Sequence, residues 1–272
     1  MPRISIGNCQ LYYETHGAGF PVLLITGLSG TAQYWRDQIP AFSRSFEVVV
    51  HDHRGMGESD PATCGATMER LAADVISLMD ALKLDKAHVV GHSAGGAVAQ
   101  ILAVDHPQRL ASAVIAASWT KADAYFRRLF ALRKETLVRL GPATYVQANT
   151  LLLYPSEYIA RNHEKLRQLE AYALAHFPQP EHMISRIDAI LAFDRTAELG
   201  RIRTPTLVVA AQDDLVTPAY FSEELARRIP GAEAKFFAQG GHYFTQVLPR
   251  EFNQAVLPFL LAHTPAAQAR AS

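Results

Sequence analysis

Short apolar runs and longer apolar stripes alternate along most of the chain. Near its start, two strand-like segments at residues 4–6 and 10–14 flank a turn signal at residues 7–8, which predicts a hairpin. The next two apolar runs, PVLLIT at 21–26 and FEVVVH at 46–51, are rich in aliphatic and β-branched residues. Runs of this kind are typical of strands that are buried on both faces of a parallel sheet.

A helical stripe begins at Thr67, where apolar residues recur at intervals of three and four. A strand at Ala87–Val90 follows, and the order strand, helix, strand indicates a parallel α/β unit. The pattern continues with a helix over 97–106, a strand over 111–118, a strand over 206–211, a helix over 221–229, a strand over 234–238 and a helix over 252–261.

The segment from about 120 to 199 differs from the rest of the chain, because it contains many helix formers and no convincing strand. We interpret it as an inserted helical cap. The sequence thus predicts an α/β fold with a mostly parallel central sheet flanked by helices. We expect one core made of residues 1–119 and 200–263, the cap at 120–199, and a disordered tail at 264–272.

Composition narrows the classes of function. Of 272 residues, 49% are hydrophobic and 19% are charged, which is typical of a globular protein. The 26 basic and 26 acidic residues cancel, so we expect neither a nucleic-acid nor a membrane partner. The two cysteines, Cys9 and Cys64, do not have the spacing of a zinc site, and no apolar run resembles a signal peptide or a membrane span. We therefore expect a cytoplasmic protein.

The segment Gly91-His92-Ser93-Ala94-Gly95 fits the pattern G-x-S-x-G and lies between a predicted strand and a predicted helix. A strand that turns sharply into a helix forces its corner residue into a strained conformation, and only very small side chains fit beside it. The corner hydroxyl is then exposed above the sheet. Ser93 is accordingly the candidate nucleophile, and the alternative is an ordinary turn serine.

A serine nucleophile needs a base within hydrogen-bond reach and an acid that orients the base. Asp213 and Asp214 follow the strand at 206–211, and His242 follows the strand at 234–238 after two glycines. Ligands of open α/β sheets bind at the carboxyl ends of the strands, where these residues are expected. His242 is therefore the candidate base, and either aspartate is a candidate acid.

With these motifs and the order Ser, Asp, His, the sequence resembles the α/β-hydrolase fold superfamily along nearly its whole length. Members commonly carry the acid four residues before a proline, which favours Asp214 as the acid and leaves Asp213 as a loop-capping carboxylate. The oxyanion would be bound by the backbone N–H of Ala94 and, by similarity in the first strand-to-helix loop, that of Leu28. The segment 52–59 resembles a family loop to which we assign a structural role.

A narrower resemblance covers the predicted cap and the segments that follow it. These are similar to the aminoacrylate or carbamate hydrolases of bacterial uracil degradation and to 3-oxoadipate enol-lactonase-like hydrolases. Some members of the first group have lost the elbow serine, whereas this chain keeps Ser93. Arg127 or Arg128 is a candidate for holding a substrate carboxylate. The candidates for lining a substrate pocket are Ser29, Trp35, His92, Trp119, Tyr125, Tyr154, His176 and Tyr243.

The resemblance implies a serine hydrolase of a small ester, enol-lactone or amide-like metabolite. Three alternatives remain open on the same fold: a hydrolase of carbon–carbon bonds in ring-fission products, a cofactor-free lyase or perhydrolase that uses the same triad, or a binding protein without turnover. Epoxide hydrolases and haloalkane dehalogenases fit poorly, because they use an aspartate where Ser93 stands. No phosphate-binding loop, dinucleotide fingerprint or HExxH motif is present, so we expect no cofactor and no metal. The expected partner is a small-molecule substrate, and the sequence is compatible with a homodimer.

Overall fold

The computed structural model describes residues 2–62 and 65–266. An eight-stranded sheet has the order β1-β2-β4-β3-β5-β6-β7-β8, with β1 and β2 antiparallel to their neighbours and the other strands parallel. The strands are β1 (Arg3–Ser5), β2 (Gln10–His16), β3 (Phe20–Ile25), β4 (Phe46–His51), β5 (Ala87–His92), β6 (Leu110–Ala116), β7 (Thr206–Ala211) and β8 (Glu233–Phe237).

Helices cover both faces of the sheet. They are α1 (Ile39–Phe42), α2 (Met68–Ala81), α3 (Ala94–Asp105), α4 (Ala124–Leu153), α5 (Ser156–Arg161), α6 (His163–Ala175), α7 (Pro180–Ala192), α8 (Ala219–Arg228), α9 (Phe244–Val247) and α10 (Pro249–Ala262). Helix α2 begins where the sequence predicts, because the Thr67 hydroxyl accepts a hydrogen bond from the Arg70 backbone N–H. The sequence does not predict the short helix α9. It predicts that the closing helix begins at Phe252, whereas α10 begins three residues earlier, at Pro249.

Alternate residues of each central strand belong to two separate cores. In β3, Leu23 and Ile25 pack with α2 and α3, whereas Val22 and Leu24 pack on the opposite face with α1 and α10. Side chains alternate between the two faces of a strand, so a strand with a helix layer on each side must be apolar at every position. This accounts for the unbroken apolar runs in the sequence and confirms the predicted α/β class.

Helices α4 to α7 all lie between β6 and β7, and we call them the inserted helices. Helix α4 is interrupted at Gly141, whose φ of 79° and ψ of 176° are not helical, and Pro142 follows. A single antiparallel bridge joins Lys121 to Asp194 at the base of this segment. The predicted division into core and cap at 120 and 199 stays a prediction.

Two sequence predictions fall partly outside the part of the chain that the structure describes. The tail predicted at 264–272 includes residues 267–272, which are not described, and Cys64 is likewise not described. Within residues 2–62 and 65–266, none of the helices combines the length and the apolar character that a membrane crossing requires.

Candidate active site

Ser93 lies at a sharp turn between the end of β5 and the start of α3. Its φ of 57° and ψ of −116° fall in a region that residues other than glycine rarely adopt. The backbone N–H of Ser93 donates to the Ala116 carbonyl at 2.8 Å, and the Ser118 hydroxyl donates to the Ser93 carbonyl at 3.0 Å. These contacts hold the strained corner in place, and strain of this kind is concentrated at functional sites.

The glycines of the motif are explained by close backbone approaches. A Cβ atom on Gly91 would lie 2.1 Å from the carbonyl oxygen of Gly95, and a Cβ atom on Gly95 would lie 2.1 Å from the carbonyl oxygen of Ile25. Both distances are far below van der Waals contact, and backbone atoms cannot move aside as a flexible side chain can. The turn therefore requires glycine at both positions.

The structure brings Ser93, His242 and Asp214 together. His242 Nε2 lies 3.1 Å from Ser93 Oγ, and His242 Nδ1 lies 2.9 Å from Asp214 Oδ2. All three residues are buried. Since an ionised carboxylate only accepts, Nδ1 carries the proton and Nε2 is free to accept the serine proton. The arrangement can abstract a proton from the Ser93 hydroxyl.

The two consecutive aspartates have different partners. Asp214 Oδ1 accepts from the backbone N–H groups of Val216 at 2.7 Å and Thr217 at 2.9 Å, and Asp214 Oδ2 accepts from the Thr217 hydroxyl at 2.9 Å. Asp213 instead accepts from the backbone N–H groups of Gly240 and Gly241, at 3.1 and 2.8 Å. Asp214 thus contacts the imidazole directly, and Asp213 holds the loop that carries it.

The loop after β3 lies against Ser93, the candidate nucleophile. A Cβ atom on Gly27 would be 2.9 Å from the Ser93 Cβ atom, so this loop packs directly on the serine. Within the described chain, neither the Leu28 nor the Ala94 backbone N–H donates to another protein group. Unpaired N–H groups beside a nucleophile are what an oxyanion requires.

Arg186, on α7, is a site residue that the sequence reasoning missed. Its side chain is buried, Nε donates to the Leu28 carbonyl at 3.1 Å, and Nη2 donates to the Gly27 carbonyl at 3.3 Å and to His53 Nδ1 at 2.9 Å. Burial lowers the pKa of Arg186 to about 10, which leaves the side chain charged at neutral pH. Burial, followed by the Arg186 charge, lowers the pKa of His53 well below its usual value and keeps this imidazole neutral.

A signal for Arg186 exists in the sequence. It occupies the buried stripe of α7, between Met183 and Ile187. A charged residue on an apolar stripe is unusual, and it indicates a specific polar partner in the interior.

His92 packs against His242 and bonds to its backbone. Its Nε2 lies 2.9 Å from the His242 carbonyl oxygen, and its ring stacks on Tyr34 at a centroid distance of 4.8 Å. Burial, and then the proximity of His242, lowers the pKa of His92 well below its usual value. His92 is therefore neutral and donates through Nε2 to the loop that carries His242, so this N–H is not available to a substrate.

A cavity of about 230 Å³ opens above Ser93, between the sheet and the inserted helices. The cavity walls include five of the pocket residues proposed from the sequence, Ser29, His92, Tyr154, His176 and Tyr243. The Tyr154 hydroxyl donates to Gln246 Oε1 at 2.7 Å, and its ring contacts that of Tyr243. These five residues therefore line the same cavity as Ser93 and His242.

Three predicted pocket residues lie elsewhere, which corrects those predictions. Trp119 is fully buried and packs on Phe126 and Phe193. Tyr125 donates its hydroxyl to the Leu215 carbonyl, outside the cavity, and Trp35 packs in the core below the sheet. Aromatic type alone cannot distinguish these positions from pocket walls, because an aromatic ring serves equally well in either environment.

Arg127 and Arg128, the predicted candidates for binding a substrate carboxylate, do not line the cavity either. Both residues are exposed on the outer face of α4. Arg133, further along the same helix, is buried and lines the cavity. Among the described residues, no group of three or more His, Cys, Asp or Glu side chains is arranged to hold a metal ion.

Comparison with known proteins agrees with this architecture. The model of the alpha/beta hydrolase fold family matches residues 21–245. A protein of Azorhizobium caulinodans named as carbamate hydrolase RutD is 41% identical over 259 residues, which cover 95% of this chain and 98% of the relative. One with the same name from Caulobacter vibrioides is 42% identical over 266 residues, which cover 96% of this chain and 99% of the relative.

Solved structures give the same result. The enol-lactonase of Burkholderia xenovorans superposes with a TM-score of 0.88 at 25% identity, covering 96% of this chain and all of that one. Est816, described as an N-acyl homoserine lactone degrading enzyme, gives a TM-score of 0.83 at 29% identity, covering 95% of this chain and 100% of that one. Together with the match over residues 21–245, these similarities show that the chain belongs to the α/β-hydrolase fold family and is a hydrolase.

Proposed function

We propose that this protein hydrolyses a small carbonyl compound through an acyl-enzyme on Ser93. The observation that carries the proposal is the unbroken chain of hydrogen-bond contacts from Ser93 Oγ through His242 to Asp214, at 3.1 and 2.9 Å. The strained serine turn and the unpaired N–H groups of Leu28 and Ala94 support it independently. A binding protein without turnover would not need these features together.

The reaction begins when Ser93 Oγ attacks the substrate carbonyl carbon and His242 Nε2 takes the hydroxyl proton. The carbonyl oxygen becomes an oxyanion, which accepts hydrogen bonds from the Leu28 and Ala94 backbone N–H groups. When the carbonyl re-forms, the bond to the leaving group breaks and His242 gives that group the proton. A water molecule then attacks the acyl-enzyme with His242 as base, releasing the acid and restoring Ser93.

The relatives support an ester, an enol-lactone or an amide or carbamate-like compound as the proposed substrate class. Proteins named as carbamate hydrolases share about two fifths of the sequence, and an enol-lactonase and a lactone-degrading enzyme share the fold. The cavity of about 230 Å³ is in keeping with a small metabolite.

We further propose that the inserted helices act as a cap over the site. They contribute many of the residues that line the cavity, including Phe130, Leu153, Leu166 and Met183. Enclosure by a helical layer excludes bulk water and selects the acyl group by shape. The cytoplasmic location, the absence of a nucleic-acid partner and a homodimer remain predictions from the sequence.

The test is reaction with a fluorophosphonate probe, followed by mass-spectrometric mapping of the labelled residue. We expect a single label on Ser93 in the folded protein. The Ser93→Ala variant should lose both the label and p-nitrophenyl acetate turnover, with kcat lower by roughly 10³-fold or more. Ser156→Ala, on the exposed surface of α5, is the matched control and should behave as wild type. Folded protein that takes no label would contradict the proposal and favour a binding role.

A further inference from the structure

Arg133 occupies the buried face of α4, among apolar neighbours. The residues of this stripe recur at helical spacing and comprise Phe126, Leu129, Phe130, Arg133 and Leu137. Only 7% of Arg133 is exposed, and it lines the cavity above Ser93. A charged side chain in such a position is costly unless an anion compensates it.

No anion within the described protein compensates Arg133. Its Nε donates to Asn149 Oδ1 at 2.8 Å, its Nη2 lies 3.4 Å from the Tyr145 hydroxyl, and its guanidinium lies 4.6 Å from the centre of the Phe130 ring. All three partners are neutral. Within the described residues no carboxylate approaches Arg133 to 4.0 Å, and Nη1 forms no hydrogen bond to another residue.

The wall contains two other charged side chains: Arg36, which has an ion-pair partner, and Glu170, a carboxylate whose hydrogen-bond partner is neutral. Glu170 accepts a hydrogen bond from the Thr150 hydroxyl at 2.6 Å, and Arg36 lies 3.8 Å from Asp37. Arg133 is therefore the cavity cation whose charge the described residues leave unpaired. The contacts with Asn149 and Tyr145 fix its orientation, so the site is formed before any ligand arrives.

Arg133 and the reacting groups face the same space. The cavity wall that includes Arg133 also includes Ser93, His242 and Tyr243. Burial raises the pKa of the Tyr243 phenol, and the neighbouring Ser29 and then the Arg133 charge oppose that rise. The guanidinium is thus within electrostatic reach of the residue that follows the catalytic histidine.

We propose that Arg133 binds a carboxylate of the substrate, at the end away from the carbonyl group that Ser93 attacks. The substrate class is then an ester or lactone with a carboxylate on a short chain. The identity of the reacting end depends on the proposed function, whereas the anion site depends on Arg133 alone. Arg133 Nη1, supported by Nη2, donates to the carboxylate, which neutralises the buried charge.

Two esters of the same shape test this specificity. Monomethyl glutarate and methyl pentanoate differ in whether the chain ends in a carboxylate or a methyl group. We expect wild-type kcat/KM to favour monomethyl glutarate, measured as acid release in a pH-stat. In Arg133→Met the ratio of the two kcat/KM values should fall roughly 10- to 100-fold, mainly through the KM of the anionic ester. Monomethyl succinate and adipate, run alongside, give the chain length that fits.

Two further variants separate charge from folding. Arg133→Lys retains the charge and should retain part of the preference, which a purely structural role would not produce. Arg128→Met removes an exposed arginine from the same helix and should leave the ratio unchanged. The proposal is overturned if wild type does not prefer the anionic ester, or if Arg133→Met lowers kcat/KM for both esters equally.

A binding measurement distinguishes failure of this proposal from failure of the proposed function. Isothermal titration of the Ser93→Ala variant with monomethyl glutarate should show binding that weakens roughly 10-fold or more when Arg133→Met is added. If that dependence appears while no ester is hydrolysed, the anion site stands and the proposed function fails. If hydrolysis requires Ser93 but binding does not depend on Arg133, the anion site fails and the function stands.

Discussion

Asp213 and Asp214 show how neighbouring residues of one type acquire different roles. The carboxylate of Asp214 is fixed by two backbone N–H groups and a hydroxyl, and it faces the imidazole of His242. The carboxylate of Asp213 is bonded to the loop that precedes His242. The orientation of the His242 imidazole depends directly on Asp214 and only indirectly, through the loop, on Asp213.

We therefore expect the two Asp→Asn variants to differ. In Asp214→Asn the amide no longer fixes the tautomer of His242, and kcat should fall roughly 10³- to 10⁴-fold with little change in KM. In Asp213→Asn the loop loses its carboxylate acceptor, so Tm should fall while kcat falls much less. Steady-state kinetics and thermal melts on both variants check this, and equal losses of kcat would contradict the assignment.

At the scale of elements, α7, the last of the inserted helices, is bonded to the loop after β3. Arg186 extends from α7 to the carbonyl groups of Gly27 and Leu28, and these two contacts orient the peptide whose N–H is proposed to bind the oxyanion. Arg186 is a positioning residue in this account, because it acts through Leu28 and touches no reacting atom.

Removal of Arg186 should therefore lower kcat more than it changes KM. We expect Arg186→Met to reduce kcat roughly 10- to 100-fold, since a misplaced oxyanion donor costs transition-state binding. Arg186→Lys should recover part of the loss. The control is Asp188→Ala, on the same helix as Arg186, which removes an exposed ion pair with Lys134 of α4 and should be nearly silent. A loss of stability in Arg186→Met with kcat unchanged per folded molecule would show a structural role only.

The whole molecule contains several histidines that folding keeps neutral. His51 lies in β4, is buried, and has its pKa lowered to about 4 by burial. In the unfolded chain its pKa returns to about 6.5. The unfolded state then binds more protons between pH 6.5 and about 4, so the contribution of His51 to stability is complete above pH 6.5 and declines as the pH falls.

This predicts a pH-dependent free energy of unfolding. Between pH 7 and pH 5, His51 should account for a loss of about 1–2 kcal/mol. In His51→Asn, urea unfolding should show a difference between the two pH values that is smaller by this amount. His163→Asn, which changes an exposed histidine on α6, should retain the wild-type difference. An unaltered pH dependence in His51→Asn would contradict the prediction.

The sequence predicts the sheet well because its strands are locally encoded. The inner strands β3 to β7 are almost continuously buried and mainly apolar, and the turns after them carry glycine or polar residues, so the α/β order can be read from a short window. The Ser93 turn is predictable for the same reason. The environments of Trp119 and Arg133 cannot be predicted from a short window. They depend on which face of the inserted helices meets the sheet, and contacts between residues far apart in the chain decide which face that is.

Partial information about Arg133 is nevertheless present in the sequence. Its spacing from Phe126 and Phe130 places it on the buried side of α4, whereas Arg127 and Arg128 fall on the outer side. Applying the helical period to the charged residues as well as to the apolar ones would have selected Arg133. The partners Asn149 and Tyr145 lie beyond the interruption at Gly141, so no local pattern indicates them.

The interruption of α4 at Gly141 has a consequence for divergence within such proteins. Arg133 precedes the break and its partner Asn149 follows it, so the hydrogen bond that orients the guanidinium joins the two arms of α4 across Gly141. Ser93 is anchored separately, on the sheet. With the proposed carboxylate site at Arg133, we expect mutations near Gly141 to change the accepted chain length during evolution and to leave the contact between Ser93 and His242 in place.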